Sequence, residues 1–351
     1  MKIVFILPQR DKKPIGGFKI VYEYANRLSD RGHEVTIAYY CGNDLKRTKL
    51  PLQARNMLCR ISVRHRPKWF NLNGNVKKIV IPKIENTYLP DADIIFATAV
   101  GTVDAVHTLD EAKGKKYYLI QGYEVWDKTD AEVRKTYLYK DMRKICIASW
   151  LAEYMKGEPV EVIPNPIDTQ EFFIEKSIEK RNPYTISLLY HTAEYKGVNY
   201  ALRALYILKS KYPQLSVWMF GVSNRPESIP KWIRYTRNAK SSELRTIYNN
   251  SAIFLCATIE EGFGLTGAEA MACGCALVST EYKGVKEYAI DGENALLSPV
   301  KDIQALAKNV ESLFQDNNLR IQLAQNGYKK IRKNSWKEAV DKMEKLFMEK
   351  N

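Results

Sequence analysis

Residues 253–272 read IFLCATIEEGFGLTGAEAMA, and no other stretch of the chain says as much about its fold. The run Ile253–Ala257 is apolar and has the length of a buried strand. Three glycines follow, at Gly262, Gly264 and Gly267, and the chain then enters a run of good helix formers. A glycine-containing loop that opens a helix offers backbone N–H groups and the positive end of the helix dipole, which suit a diphosphate. The stretch therefore predicts a strand, an anion-binding loop and a helix in succession.

Short apolar runs alternate with amphipathic stretches along the rest of the chain as well, which favours an α/β fold with parallel sheets covered by helices. The predicted strands are Lys2–Leu7, Glu34–Tyr39, Ile79–Ile81, Ile94–Ala97, Lys116–Ile120, Lys144–Ala148, Val160–Ile163, Thr185–Tyr190, Leu215–Phe220, Ile253–Ala257 and Ala276–Ser279. The predicted helices are Lys19–Arg31, Val103–Ala112, Ser149–Lys156, Gly197–Tyr212, Ser242–Asn249, Gly267–Cys273, Ile303–Gln315, Leu319–Lys333 and Trp336–Lys350.

The segment IPNPID, residues 163–168, divides this pattern into two similar halves. Two prolines in three residues stop any regular element, so the segment is predicted to be a turn or hinge. We expect residues 1–165 and 166–335 to form two Rossmann-like domains, and residues 336–351 to form a helix that crosses back to the first domain. Two such domains leave a cleft between the carboxyl ends of their sheets, where ligands bind in this architecture.

Size and composition indicate a globular protein. The 351 residues suit two domains, and 45% hydrophobic with 27% charged residues allows real cores. No stretch approaches the roughly 18 uninterrupted apolar residues that a membrane span needs. The six cysteines lack the spacing of a zinc site or a redox pair. With no signal-peptide pattern at the start, the sequence predicts a cytoplasmic location.

Positive charge, +14 overall, is concentrated between Lys46 and Ile84, where eleven Lys or Arg residues stand without one acidic residue. We call the stretch from Lys46 to Lys83 the basic segment. It also holds apolar and aromatic groups, a combination that attachment to an anionic membrane surface requires, and Trp69 and Phe70 are the expected interfacial anchors. A solvated basic loop is the alternative. Nucleic acid is not an expected partner, because no zinc-finger, RNP-like or helix-turn-helix pattern accompanies the charge.

Two carboxylates stand eight positions apart in the opening stretch, Glu261 on the loop and Glu269 inside the predicted helix. Carboxylates at that separation can hold two parts of one ligand. This arrangement resembles the Glu-x7-Glu signature of retaining GT-B enzymes, in the form used by glycosyltransferase family 4. Further similarity is spread over nearly the whole chain, at residues 16–17 (GG), 31–35 (RGHEV), 165–168 (NPID), 196–197 (KG), 273–279 (CGCALVS, with alanine where proline is usual), 284–287 (GVKE) and 291–297 (DGENALL).

The resemblance implies a GT-B fold, two Rossmann-like domains facing across a cleft, with the acceptor on the first domain and the donor on the second. It implies that Glu269 binds the ribose of the donor, that Glu261 contacts the transferred sugar and that Lys196 neutralises the diphosphate. Neutralisation is physically sensible, because the departing diphosphate gains negative charge as the sugar–phosphate bond breaks. The remaining implied donor contacts are the backbone of Gly16 and Gly17 and the loop residues Phe263, Gly264 and Leu265.

One position departs from the family pattern. An arginine usually stands five residues before the lysine, whereas this chain has His191 there. An imidazole is a poorer clamp for a diphosphate than a guanidinium. Either another cation replaces the arginine, with Arg225 as the candidate, or the diphosphate is held less tightly.

Three residues of the first half are candidates for acceptor binding. Tyr123 and Glu124 follow the predicted strand Lys116–Ile120, and His107 stands on the helical stretch after the strand that ends at Ala97. An ordinary structural or surface role is an equally good interpretation of each.

The resemblance implies transfer of a hexose or deoxyhexose from a nucleotide-diphosphate sugar to a saccharide or lipid-linked acceptor, with retention, in cell-surface polysaccharide synthesis. Residues 16–26 (GGFKIVYEYAN) resemble bacterial enzymes of this kind, some of them rhamnosyltransferases. No cofactor or metal is expected, because a lysine balances the diphosphate. Two alternatives remain open: a GT-B-type epimerase or hydrolase, and a non-catalytic protein that binds nucleotide sugars or polysaccharide.

Overall fold

A computed structural model describes residues 1–10, 13–42, 50–64, 67–126, 128–155 and 157–349 of the chain. The chain divides into two compact units. Unit 1 comprises Met1–Pro164 and Val340–Asn351, and unit 2 comprises Asn165–Ala339. The chain therefore leaves unit 1 inside the proline-rich segment and returns to it within its last helix.

Unit 1 is a seven-stranded parallel sheet in the order β3-β2-β1-β4-β5-β6-β7. Because the order reverses between β1 and β4, their carboxyl ends form the kind of crevice in which open α/β sheets bind ligands. The elements are β1 (Lys2–Leu7), α1 (Gly16–Asp30), β2 (Glu34–Tyr40), α2 (Leu52–Arg64), β3 (Lys77–Ile81), β4 (Ile94–Ala97), α3 (Val100–His107), β5 (Lys115–Ile120), α4 (Asp130–Tyr137), β6 (Met142–Cys146), α5 (Ser149–Ala152) and β7 (Val160–Val162).

Unit 2 is a six-stranded parallel sheet in the order β10-β9-β8-β11-β12-β13, which reverses between β8 and β11. Its central strands are mostly apolar, as is typical of parallel strands whose two faces are covered by helices. The elements are β8 (Thr185–Tyr190), α6 (Val198–Lys211), β9 (Ser216–Gly221), β10 (Ile233–Arg237), α7 (Ser241–Asn249), β11 (Ile253–Cys256), α8 (Leu265–Ala272), β12 (Ala276–Thr280), β13 (Ala295–Ser298), α9 (Ile303–Gln315) and α10 (Asn317–Ile331). The last helix, α11 (Trp336–Met348), begins in unit 2 and ends in unit 1.

The end of α11 is part of the core of unit 1. Phe347 is 1% exposed, and its ring lies 5.9 Å from that of Phe96 and 5.5 Å from that of Tyr117. At the surface, His33 Nε2 lies 2.8 Å from a carboxylate oxygen of Glu344. Residues far apart in sequence thus complete one hydrophobic core.

The basic segment contains a helix that the sequence analysis does not predict, α2. Trp69 and Phe70 pack against Tyr22 of α1, with ring centroids 5.7 and 5.4 Å away. Both rings are half-buried within unit 1, and their role as interfacial anchors stays a prediction. Four cations of the segment lie outside the described residues: Lys46, Arg47, Lys49 and Arg66. In the part of the chain that the structure describes, no helix is both long and apolar enough to cross a bilayer.

Candidate functional site

Two loops meet at the point where the strand order of unit 2 reverses. One follows β8 and the other follows β11, and Gly197 brings them together. A Cβ at Gly197 would lie 1.7 Å from the carbonyl oxygen of Ala257, and the φ of +64° is itself a conformation that favours glycine. Beside it, the N–H of Ile259 donates to the carbonyl of Tyr195 at 2.7 Å. The close approach of the two backbones therefore fixes the relative position of the two loops, from which Lys196 and Glu261 extend.

Lys196 and Glu261 form an ion pair across these loops. Lys196 Nζ lies 2.6 Å from Glu261 Oε1, and the two side chains are 14% and 25% exposed. Partial burial strengthens a charge interaction because less water screens it. The structure thus brings together two residues that lie 65 positions apart, at the carboxyl edge where a ligand is expected.

His191 lies beside this pair as a neutral side chain. Its Nδ1 accepts a hydrogen bond from the N–H of Ala193 at 3.0 Å. Burial lowers the pKa of His191 and the nearby Lys196 charge lowers it further, against an opposing effect of Glu261. A neutral ring that accepts at Nδ1 carries its proton on Nε2. His191 can therefore donate a hydrogen bond to a phosphate, but it does not supply a second positive charge.

The start of α8 is shaped by glycine. Gly264 has a φ of +97°, and a Cβ there would lie 1.9 Å from the hydroxyl of Tyr282 and 2.8 Å from that of Tyr288. The hydroxyl of Tyr288 donates to the carbonyl of Gly264 at 2.9 Å, which fixes the loop. Gly264 has no side chain to cap α8, so the first N–H groups of the helix, beginning at Leu265, are left for an anionic ligand.

Phe263 contributes to this loop through its backbone only. Its side chain is 3% exposed and packs against the ring of Tyr288, with centroids 5.2 Å apart. Burial of the ring holds the loop against unit 2. The side chain itself is part of the core, so any donor contact of Phe263 involves its main chain.

Glu269 lies on α8 and is 5% exposed. The hydroxyl of Tyr248, on α7, donates to Glu269 Oε2 at 3.4 Å. Burial raises the pKa of Tyr248 well above its usual value, and the neighbouring carboxylate raises it further, so Tyr248 stays a donor. Tyr248 therefore holds the carboxylate of Glu269 in position through this hydrogen bond. Sequence reasoning missed it, because a tyrosine at the end of an amphipathic helix reads as an ordinary core residue.

Arg225 does not reach the pair Lys196–Glu261 through any described hydrogen bond. Its guanidinium donates to the carbonyls of Ile229, Ile233 and Pro230, at 3.2, 2.7 and 2.7 Å. These bonds hold the loop before β10, so the expectation that Arg225 replaces the missing arginine is not supported by its geometry. The position of a residue after a strand end does not predict the direction in which its side chain points.

At the carboxyl edge of unit 1, Gly17 opens α1 directly after Gly16. A Cβ at Gly17 would lie 3.2 Å from the side-chain nitrogen of Gln121, so glycine allows the start of α1 to approach β5. Glu124 accepts from the N–H of Val100 at 2.8 Å and thereby caps α3. Glu124 thus lies at the carboxyl edge of the sheet, as expected, and its carboxylate already caps α3.

Tyr123 is also held in place at this edge. Its ring stacks on Tyr154 at 4.1 Å, and its hydroxyl donates to Asp130. Burial, reinforced by the hydrogen bond to Asp130, raises the pKa of Tyr123 to about 12. The next aromatic residue, Trp126, is 68% exposed on the same loop and was missed by the sequence analysis. Its position could have indicated a role, since Trp126 follows a strand end and an amphipathic ring often lies at a binding surface.

His107 lies at the opposite edge of the sheet. Its ring stacks on Tyr139 at 3.9 Å, and Nδ1 lies 2.8 Å from an oxygen of Asp141. Asp141 directly precedes β6, and Lys116, which donates to the carbonyl of His107, is the second residue of β5. His107 therefore belongs to the amino ends of the strands. This contradicts the expectation that it binds an acceptor at the carboxyl edge.

Among the residues that the structure describes, no cluster of three or more His, Cys, Asp or Glu side chains has the arrangement of a metal site. The charged groups at the switch point of unit 2 include Lys196 and Glu261, and the buried carboxylate of Glu269 lies on the helix that follows. The two carboxylates can accept hydrogen bonds from the hydroxyl groups of a ligand. The lysine and the start of α8 can bind an anion.

Residues 169–330 match the family model for glycosyl transferases group 1. The chain is similar to the GtfA subunit of a UDP-N-acetylglucosamine–peptide N-acetylglucosaminyltransferase from Streptococcus pneumoniae, with 24% identity over 69% of this chain and 52% of that protein. It is also similar to the capsular polysaccharide biosynthesis glycosyltransferase CapM from Staphylococcus aureus, with 23% identity over 74% of this chain and 76% of that protein. The chain spans about half of the first of these relatives.

Among solved structures, the chain resembles a variant of TarM from S. aureus in complex with UDP, α-GlcNAc-glycerol and fondaparinux. The TM-score is 0.76 at 11% identity, over 99% of this chain and 100% of that one. At this identity the likeness concerns the fold.

Proposed function

We propose that this chain is a retaining glycosyltransferase of the group 1 family on a GT-B fold, since residues 169–330 match the model of that family and the chain shares its fold with TarM. The donor is a nucleotide-diphosphate sugar that carries a hexose or deoxyhexose. The acceptor is a saccharide or a lipid-linked saccharide, and the product serves cell-surface polysaccharide synthesis. The similarity to CapM, a capsular polysaccharide glycosyltransferase, supports the proposed role in cell-surface polysaccharide synthesis.

The observation that carries the proposal is the contact of Lys196 with Glu261 beside the uncapped start of α8. A diphosphate placed there meets a cation and helix N–H groups, and the sugar attached to it meets a carboxylate. We assign binding of the ribose to Glu269, which lies on α8 four residues after its first residue. A protein that only bound the donor would not need charged groups beside the bond that breaks.

In the proposed reaction, the bond between the anomeric carbon of the sugar and the diphosphate oxygen breaks. The acceptor hydroxyl attacks from the same face, a new glycosidic bond forms, and the hydroxyl proton passes to the departing phosphate oxygen. Lys196 and the N–H of His191 Nε2 stabilise the charge that grows on the diphosphate. Glu261 stabilises the positive charge that develops on the sugar ring.

A panel of nucleotide sugars tested by thermal shift identifies the donor, because a ligand of the native state raises its stability. The identified donor, labelled in its sugar, is then incubated with and without saccharide acceptors. Label in a new glycosidic product supports transfer. Label only in free sugar or in an isomerised donor indicates a hydrolase or an epimerase, and an unchanged donor indicates a binding protein.

The two glutamates are expected to fail in different ways. Glu269→Ala removes a contact to the ribose and should raise the Kd of the nucleotide about 10- to 100-fold. Glu261→Ala removes a contact that strengthens in the transition state and should mainly lower kcat. Nucleotide titration and steady-state rates separate the two effects. Glu260→Ala, a change of the exposed neighbouring carboxylate, is the matched control, and full activity of both test variants would contradict the site.

We also propose that the enzyme needs no metal ion, because Lys196 and the start of α8 provide the positive charge that a diphosphate requires. Dialysis against EDTA should leave the rate within about twofold of that of the untreated enzyme. Added Mg²⁺ or Mn²⁺ should have as little effect. A rate that falls after EDTA and returns with one of these ions would overturn this proposal.

His191→Arg is expected to keep kcat at or slightly above that of the unchanged enzyme, because a guanidinium suits a diphosphate better than a neutral imidazole does. Without ligand the variant should melt at a lower temperature, since the new charge is half-buried beside Lys196. UDP or the identified nucleotide should restore the melting temperature. A folded variant without activity would show that the imidazole has a specific role.

A further inference from the structure

The outer side of α2 carries an apolar stripe, formed by Met57, Leu58 and Ile61. These side chains are 66%, 46% and 52% exposed, whereas Cys59 and Val63 of the same helix are buried against unit 1. Residues 57, 58 and 61 fall on one side of a helix with 3.6 residues per turn. The solvent side of a surface helix usually carries polar groups, so the stripe indicates a docking surface.

Positive charge flanks this stripe. Arg60 and Arg64 are exposed on α2, and neither forms an ion pair with a residue in the described ranges. Other cations of the basic segment behave differently, since Lys77 and Lys83 are each paired with a carboxylate at 3.2 Å. The helix itself contains no acidic residue. The two arginines therefore remain available to an anionic partner.

The same arginines border a groove of about 850 Å³ at the amino ends of the strands of unit 1. Lys2 and Lys78 also line it, together with the carboxylates of Glu34 and Asp91, so the groove itself has mixed charge. This groove lies at the amino edge, whereas the proposed catalytic residues lie at the carboxyl edge of another sheet. The proposed docking surface and the candidate site on unit 2 therefore share no residues.

We propose that α2 docks unit 1 onto an anionic lipid bilayer, with Met57, Leu58 and Ile61 among the headgroups and Arg60 and Arg64 against lipid phosphates. A helix of 13 residues is about 20 Å long, enough to lie in the plane of the interface. The charge selects this partner, because an apolar stripe alone fits many surfaces, whereas a stripe beside unpaired arginines fits an anionic one. The proposal concerns attachment and stands apart from glycosyl transfer.

The test is co-sedimentation of the full chain with vesicles of phosphatidylcholine alone or with one third phosphatidylglycerol, at low and high salt. Binding should require the anionic lipid and weaken with salt, since charge interactions are screened beyond about 8–10 Å. Removing both arginines (Arg60→Gln with Arg64→Gln) should weaken binding about 30-fold, because each cation near the surface contributes about fivefold. Met57→Gln, Leu58→Gln and Ile61→Gln together should weaken it at least about tenfold.

Matched controls change the same chemistry elsewhere. Lys308→Gln with Lys329→Gln removes two exposed cations of unit 2, and Leu138→Gln with Ile290→Gln removes two exposed apolar groups. Both controls should bind as the unchanged chain does. No binding at low salt, binding that ignores lipid charge, or full binding by the α2 variants would overturn the proposal. A stripe variant that only changes the oligomeric state would overturn it too, by assigning the stripe to a protein contact.

A second measurement does not depend on these variants. All six cysteines of the chain are buried or half-buried, so Ile61→Cys provides a selectively labelled site for a polarity-sensitive fluorophore. Its emission should shift to the blue on anionic vesicles, whereas label at Ile290→Cys should not respond. Equal emission with and without vesicles would contradict insertion of α2. Transfer to a water-soluble acceptor, measured in parallel, tests the proposed function independently of attachment.

Discussion

Replacing Lys196 with alanine is expected to lower kcat by about two to three orders of magnitude, the range for removing one group that stabilises developing charge. The ammonium group is held 2.6 Å from Glu261, so it is already placed before a donor binds and loses little freedom during the reaction. The Kd of the nucleotide should rise less than kcat falls, because the charge on the diphosphate grows as the bond breaks. Initial-rate measurements give kcat, and nucleotide titration gives the Kd.

Loss of Lys196 also leaves Glu261 without its cation, and repulsion between that carboxylate and the diphosphate could imitate a catalytic defect. The double variant Lys196→Ala with Glu261→Gln separates the two causes. If repulsion were responsible, the glutamine would restore most of the rate. We expect no restoration, because Glu261 itself contributes to turnover. Lys308→Ala, at an exposed position of α9, is the matched control for the loss of a lysine.

The second large effect is expected from Gly264→Ala, which should lower the free energy of unfolding by about 3 kcal/mol. Two causes add: a backbone φ of +97°, and a Cβ that would lie 1.9 Å from the hydroxyl of Tyr282. The loop must shift to relieve the contact, and the first N–H groups of α8 shift with it. Nucleotide binding should therefore weaken even in the fraction of molecules that remains folded. Urea unfolding and nucleotide titration measure the two losses.

Gly292→Ala is the matched control for Gly264→Ala. Gly292 has a φ of +71°, and a Cβ there would have no neighbour within 4 Å. This change should cost only about 1 kcal/mol, the penalty of the backbone conformation alone. Adding Tyr282→Phe to Gly264→Ala removes the clashing hydroxyl and should recover part of the difference. Equal losses at Gly264 and Gly292 would show that the contact with Tyr282 is unimportant.

The sequence predicts the central strands of both units well, because buried parallel strands are continuous apolar runs. The edge strands β10 and β13 are not predicted. The sequence of β10, IRYTR, is mostly polar, since one edge of the strand has no neighbour and its side chains are partly exposed. The short β13 has only four residues. An edge position alone does not hide a strand, since the edge strands β3 and β7 of unit 1 are predicted.

The site shows the same limit. Glu261, Glu269 and Lys196 follow from motifs, and the structure places Lys196 against Glu261. The direction of a side chain does not follow from a motif: Arg225 is a candidate to replace the missing arginine, whereas its guanidinium holds its own loop. Helix α2 escaped prediction because its outer side is apolar, so that the usual contrast between two faces is blurred.

The return of the last helix to unit 1 has a consequence for synthesis in the cell. Phe347 fills the core of unit 1, yet about 175 residues separate Pro164 from Val340, where that part of the chain begins. At about 5–20 residues per second, the ribosome takes about 10–35 s to supply them. During that time the rings of Phe96 and Tyr117 lack their final partner. Unit 2 is translated without such a gap, so the second half of the chain can complete its core before the first half does.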